Sequence, residues 1–139
     1  MTLLSVRSET VIQQVPAVTI TCAPFPKPRM TAADRWKRRP VVLRYWEWCA
    51  RVREACERRG FLLPSSGLRI LFAVPMPESW SKKKRSQMNG QPHQQRPDVD
   101  NYVKAVFDAL SEDDSHIWQF SAEKRWTDGL GSIQLEVVQ

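Results

Sequence analysis

Glycine, cysteine and long apolar runs are scarce in this chain of 139 residues. None of its five glycines forms part of a strand-loop-helix pattern that cradles a nucleotide phosphate, so a nucleotide-sugar transferase fits the sequence poorly. The three cysteines are an odd number without a CxxC pair, which indicates reduced thiols rather than a disulfide framework or a zinc knuckle. No apolar stretch reaches the roughly 18 residues of a membrane-spanning helix, and no basic run leads into an apolar one at the N-terminus. We therefore expect a soluble intracellular protein.

The charged residues are divided unevenly along a chain whose net charge is +6. Residues 24–60 carry eleven Lys or Arg against four acidic residues, and residues 78–96 carry five against one. Residues 97–139 reverse the balance, with three basic residues against nine acidic ones. A basic region folded against an acidic one could surround a carboxylate site with cations, which suits a metal enzyme that acts on a polyanion. Solvated faces of ordinary helices and strands would also explain either basic segment taken alone.

The pattern of apolar residues predicts a single α+β domain, with two helices packed on a mixed sheet. Strands are predicted over residues 16–22, 67–75, 116–126 and 130–137, and the last two are expected to form a β-hairpin across TDGLG. Helices are predicted over residues 31–60, interrupted or begun at Pro40, and from about 98 to 111. Residues 77–96 are expected to form a basic loop, and residues 1–15 to be peripheral.

The first helix has a well-defined apolar face. Its members recur at three- and four-residue spacing and are Val42, Tyr45, Trp48, Cys49, Val52, Ala55 and Cys56. Such a face belongs to a core, so both cysteines on it are interpreted as small buried residues rather than reactive thiols.

Carboxylates are concentrated in RPDVDNYVKAVFDALSEDDS, residues 96–115. Asp98 and Asp100 stand at the start of the second predicted helix, and Asp113 and Asp114 follow its end. Carboxylates brought together repel one another unless a cation is present. Magnesium prefers oxygen ligands, keeps several waters and would make such a cluster a phosphodiester site, in which the metal coordinates the scissile phosphate and activates water.

The helix between these pairs carries Asp100, Lys104 and Asp108 at four-residue spacing, on the stripe opposite its apolar one. Lys104 could there offset the charge that develops on a phosphate during hydrolysis. A simpler interpretation exists for Asp98, because an aspartate at a helix N-terminus is favoured as a cap and by the helix dipole. Spacing alone leaves both interpretations open.

Several segments together resemble the RusA family of Holliday junction resolvases, which phages and prophages usually encode. The string RPDVDNYVKAVFDAL, followed by DDS and then KRW, resembles the family's acidic motif. The upstream segments MPESWSKKKRSQMNGQPHQQ and PFPKPRM resemble its basic loop and its early proline-rich segment, so the resemblance covers roughly residues 20–137. The connection between Leu110 and Asp113, only Ser111 and Glu112, is shorter than is common in the family.

The resemblance implies a magnesium-dependent endonuclease, with manganese as a substitute, that works as a homodimer and places paired nicks across a four-way DNA junction. It also implies a cytoplasmic location, in a bacterial host cell or associated with its nucleoid. The family's metal-binding carboxylates and its essential lysine fall on Asp98, Asp100, Asp114 and Lys104. Asp113 would be an adjacent metal ligand or a structural residue, and Asn101 would either fix the backbone or make a supporting hydrogen bond near the metal.

Beside such a site, basic residues become candidate contacts to the DNA backbone. These candidates are Lys27, Arg29, Lys82, Lys83, Lys84, Arg85 and Arg96. Trp80 is a candidate to stack on an opened base, whereas His93 and His116 lack a partner at ligand spacing and are expected to be non-catalytic. The short connection keeps a second hypothesis open, a catalytically silent protein that binds junctions or other branched DNA.

Overall fold

A four-stranded mixed sheet with helices packed on it forms this small domain, as the sequence predicts. The computed structural model describes residues 15–113 and 115–139, so nearly all of the segment expected to be peripheral lies outside the described residues. The described elements are β1 (Ala17–Ile20), a 3₁₀ turn (Ala32–Arg35), α1 (Pro40–Arg59), β2 (Leu68–Pro75), α2 (Lys82–Met88), α3 (Val99–Leu110), β3 (Phe120–Thr127) and β4 (Ser132–Val137). Among these described helices, none is both long and apolar enough to cross a membrane.

The order of strands in the sheet is β1-β4-β2-β3. Strand β4 is antiparallel to both of its neighbours, whereas β2 and β3 are parallel and pair from Leu68 opposite Phe120 to Pro75 opposite Thr127. The prediction of a β-hairpin between the last two strands is therefore wrong, because β2 lies between β3 and β4 in the sheet. A turn signal shows where the chain reverses, but the pairing of a strand depends on residues distant in sequence.

The connection from β3 to β4 crosses the end of β2. Gly131 favours this crossing, because its φ of 96° is one that residues with a side chain rarely adopt. A Cβ added there would lie 3.0 Å from the carbonyl oxygen of Ala73 in β2. The glycine thus allows a close approach of two backbones.

Helix α1 matches its prediction closely. Pro40 occupies its first turn, and Gly60 ends it in a left-handed conformation with φ of 74°. All seven residues of the predicted apolar face are buried, and all of them except Val42 belong to the core that α1 forms with α3 and the sheet. Burial raises the pKa of the Cys56 thiol to about 11, which agrees with the structural interpretation of this cysteine.

The segment expected to be a basic loop contains a helix, α2. Ser81 caps it, since its Oγ accepts a hydrogen bond from the backbone N–H of Lys84 at 3.2 Å. Arg85 then ties the helix to its surroundings by donating to Asp128 at 2.7 Å and to the carbonyl of Pro77 at 2.8 Å. The sequence did not predict this short helix, because the proline and glycine residues that flank it are typical of loops.

Candidate active site

The acidic motif opens α3. Asp98 occupies the N-cap position with an extended backbone, yet its side chain makes no capping hydrogen bond. Asp100 lies in the first helical turn, and both carboxylates are exposed. The capping interpretation of Asp98 thus holds for its position but not for its side chain, which leaves that carboxylate available for another partner.

The three residues at four-residue spacing on α3 have different partners. Lys104 Nζ lies 3.6 Å from an Asp100 carboxylate oxygen, and both side chains are about 60% exposed. Asp108 instead turns toward α1, where it accepts a hydrogen bond from the hydroxyl of Tyr45 at 2.6 Å and pairs with Lys27 at 3.0 Å. Burial and the contact with Asp108 raise the pKa of Tyr45 well above its usual range. Asp108 therefore joins elements of the fold, while Asp100 and Lys104 face outward.

The proline-rich segment near the N-terminus lies alongside α3. The backbone N–H of Lys27 donates to the carbonyl of Asn101 at 3.2 Å, which adds to the ion pair of Lys27 with Asp108. Two depressions adjoin this contact. One, of about 420 Å³, is lined by Lys27, Pro28, Arg29, Asn101 and Lys104. The other, of about 410 Å³, is lined by Pro26, Arg96, Pro97, Asp98 and Asn101.

These depressions bring together residues from distant parts of the sequence. Lys27, Arg29 and Arg96, all predicted to contact DNA, lie beside the helix that carries the acidic pair. Asn101 lines both depressions. A surface with two exposed carboxylates among several cations has the charge pattern expected where a metal and a polyanion meet.

The remaining predicted DNA contacts lie on α2 and are not equivalent. Lys82, Lys83 and Lys84 are all exposed, and Lys84 also lies over the ring of Trp80, with Nζ 4.2 Å from the ring centroid. The guanidinium of Arg85 already makes hydrogen bonds within the protein, to Asp128 and to the carbonyl of Pro77. Trp80 itself packs against Trp126, with their ring centroids 4.7 Å apart, and this packing uses part of the surface that base stacking would need.

The second acidic pair is only partly described. The carboxylate of Asp113 accepts a hydrogen bond from the backbone N–H of Ser115 at 3.0 Å, and this bond lowers the pKa of Asp113. Asp114 lies outside the described residues. Within residues 15–113 and 115–139, no three His, Cys, Asp or Glu side chains form a group that could hold a metal ion.

Two residues near the acidic motif, His93 and Lys124, make contacts that the sequence did not predict. His93 was expected in a flexible loop, but it is only 4% exposed and packs on Trp126, with ring centroids 4.2 Å apart. Burial and the nearby charge of Lys124 lower the pKa of His93. Lys124, within the KRW segment, donates to the carbonyls of Gln95 and Pro97. The alternating pattern of the strand that contains Lys124 gave no indication of these contacts, because they join residues about 30 positions apart.

Comparison with known protein families identifies a match over most of the chain. No curated protein matches the chain in a sequence search. The family model described as endodeoxyribonuclease RusA matches residues 22–137, a range that includes the three described helices, strands β2, β3 and β4 and the proline-rich segment. This chain therefore belongs to the RusA family of endodeoxyribonucleases, which resolve DNA crossover junctions by phosphodiester hydrolysis.

Proposed function

We propose that this protein is a magnesium-dependent endonuclease that resolves four-way DNA junctions by paired nicking. The observation that carries the proposal is the exposed pair Asp98 and Asp100 at the start of α3, next to depressions lined by Lys27, Arg29 and Arg96. The proposed action takes place in the cytoplasm of a bacterial host, where its DNA substrate would lie.

The two described carboxylates fit a magnesium site. Magnesium in phosphoryl-transfer enzymes is often held by one or two carboxylates, together with waters and substrate phosphates. Asp98 makes no capping hydrogen bond, and the ion-pair partner of Asp100 among the described residues is the exposed Lys104, so both carboxylates can turn toward an ion. We propose Asp98, Asp100 and Asp114 as ligands, with Asp113 as an adjacent ligand or support. The bound metal would coordinate the scissile phosphate and lower the pKa of an attacking water.

We propose that Lys104 interacts with the scissile phosphate rather than with the metal. Its ammonium is exposed and lines the larger depression, one helical turn from Asp100. A cation there would be attracted to the carboxylate before DNA binds and to the negative phosphate afterwards. The N-terminal end of α3 adds a favourable field for an anion at the same place.

The DNA backbone is proposed to follow the basic residues around α3. Lys27 and Arg29 line one depression and Arg96 the other, so they could contact phosphates on either side of the scissile one. Lys82, Lys83 and Lys84 on α2 would add contacts farther out, whereas Arg85 would act mainly by holding α2 in place.

A homodimer is part of the proposal, because paired nicks at one junction require two active sites. Sedimentation equilibrium tests this directly. We expect a mass twice the 16.1 kDa of one chain, and a monomer at micromolar concentration would contradict the dimer.

A catalytically silent junction-binding protein is the second candidate. It is favoured by the absence, among the described residues, of a three-residue metal cluster, and by the hydrogen bond that engages Asp113. Such a protein would keep the basic surface and bind branched DNA without cleaving it.

Cleavage of a synthetic four-way junction separates the two candidates. Purified protein is incubated with the junction or with linear duplex, with and without magnesium. We expect paired nicks in the junction only when magnesium is present. Binding without nicking would refute the proposed enzyme and favour the silent protein.

The variant Asp100→Asn tests the metal role within the same assay. It should abolish cleavage and keep or strengthen junction binding, because it removes a negative charge from a surface that faces DNA. Glu136→Gln is the matched control, since it removes the same charge from β4, where Glu136 pairs with Arg69. Loss of binding together with cleavage in Asp100→Asn would count against the metal role.

A further inference from the structure

The backbone just before Asp98 is held by one side chain from β3. Lys124 donates from Nζ to the carbonyl oxygen of Pro97 at 2.6 Å and to that of Gln95. The backbone carbonyl of the same lysine accepts a hydrogen bond from the N–H of His93 at 3.0 Å. Both its main chain and its side chain therefore contact the segment that leads into the acidic motif.

Upstream, this segment is joined to β3 by backbone hydrogen bonds. The N–H of Gly90 donates to Trp126 at 2.9 Å, and the N–H of Trp126 donates to Gln91 at 2.9 Å. After His93, no further backbone hydrogen bond joins the segment to β3 in the part of the chain that the structure describes. The ammonium of Lys124 supplies the next contacts between β3 and this segment, at the carbonyls of Gln95 and Pro97, immediately before Asp98.

This contact matters because the Asp98 carboxylate makes no hydrogen bond among the described residues, and the charge of Lys124 also lies near enough to interact with that carboxylate. The side chain of Asp98 makes no capping hydrogen bond, so the position of its carboxylate depends on the backbone at residues 97 and 98. That backbone is anchored on one side by α3, through the bond from the N–H of Asn101 to the carbonyl of Asp98 at 3.1 Å, and on the other side by Lys124. Loss of the second anchor would leave the carboxylate free to move relative to Asp100.

We propose that Lys124 is a positioning residue, which holds the carbonyl of Pro97 and thereby fixes the Asp98 carboxylate at the spacing from Asp100 that binds a divalent metal. This inference rests on the function proposed above. Lys124 directs at least two of its three N–H donors at backbone carbonyls, so its role is distinct from that of the lysines proposed to contact DNA.

The test measures manganese binding to the full chain by calorimetry without DNA, and junction binding in the presence of a chelator. Lys124→Met keeps the aliphatic stem and removes the donors. It should weaken manganese binding by about 10- to 100-fold, the usual effect of removing a group that supports a metal ligand. Junction binding without metal should not change. Arg125→Met is the matched control, because this neighbouring side chain holds Gly90 at the far end of the segment and should leave manganese affinity unchanged.

The double variant with Asp98→Asn separates positioning from a general loss of structure. If Lys124 acts through Asp98, then Lys124→Met should cause no further loss of manganese affinity once Asp98 is replaced. Equal losses in both backgrounds would overturn the proposal, as would unchanged affinity in Lys124→Met or loss of its metal-free junction binding. If Lys124→Met does not fold, Lys124→Gln takes its place under the same criteria.

The outcomes also distinguish this inference from the proposed function. A wild-type protein that binds no divalent ion would remove the proposed metal site, and the positioning role with it. A wild-type protein that binds manganese and cleaves junctions, beside a Lys124→Met variant with equal affinity, would overturn the positioning role alone.

Discussion

Replacement of Tyr45 by Phe should destabilise the protein through one hydrogen bond. The hydroxyl of this fully buried tyrosine donates to Asp108 at 2.6 Å and joins α1 to α3. A hydrogen bond to a charged acceptor contributes about 1.5–3 kcal/mol. Asp108 is 31% exposed and would keep its ion pair with Lys27, so we expect the lower end, about 1.5 kcal/mol.

Urea unfolding followed by circular dichroism measures this loss directly, at an unchanged slope of free energy against urea. The melting temperature of a chain of this size should fall by about 5 °C. Tyr102→Phe is the matched control, because Tyr102 is also buried but has no hydrogen-bond partner for its hydroxyl among the described residues. We expect a change below about 0.5 kcal/mol for the control. Equal losses in the two variants, or no loss in Tyr45→Phe, would refute the reasoning.

Three further predictions concern the site, a turn and a thiol. Lys104→Ala should lower the rate of junction cleavage with little change in junction affinity, and an unaltered rate would remove this lysine from the mechanism. Gly131→Ala should cost about 1–3 kcal/mol in urea unfolding, because its φ is 96° and the new methyl group would meet the carbonyl of Ala73; a neutral effect would show that the two backbones can separate. Because the folded protein raises the pKa of Cys56 to about 11, the stability from keeping this thiol neutral should be fully present below about pH 9 and lost as the pH rises toward 11. The free energy of unfolding of Cys56→Ala should depend less on pH between pH 8 and 11 than that of the wild type. Parallel profiles of the two proteins would contradict this role of the Cys56 thiol.

Local patterns were sufficient for much of the fold. The face of α1 was predicted residue by residue, because helical periodicity depends only on spacing within one segment. The start of α3 was predicted to within one residue for the same reason. The helix α2 was missed, since seven residues between proline and glycine carry too little periodic signal.

Contacts between distant segments account for the errors. Strands β3 and β4 are separated by a good tight turn, yet β2 lies between them, and no local signal specifies that insertion. Asp108 belongs by spacing to the same stripe as Asp100 and Lys104. Its partners Tyr45 and Lys27, from other parts of the chain, make it a structural residue instead.

The sequence by itself determined the helix faces, the acidic pair at the start of α3 and the resemblance to a nuclease family, because each depends on residue types at short spacing. Only the tertiary structure decided which carboxylates remain free, which cations lie beside them and which lysine holds the backbone before Asp98. Those features depend on contacts across roughly 30 to 80 positions of the chain, for which short-range periodicity carries no information. One of those contacts is the hydrogen bond from Lys124 of β3 to the carbonyl of Pro97, directly before the exposed Asp98.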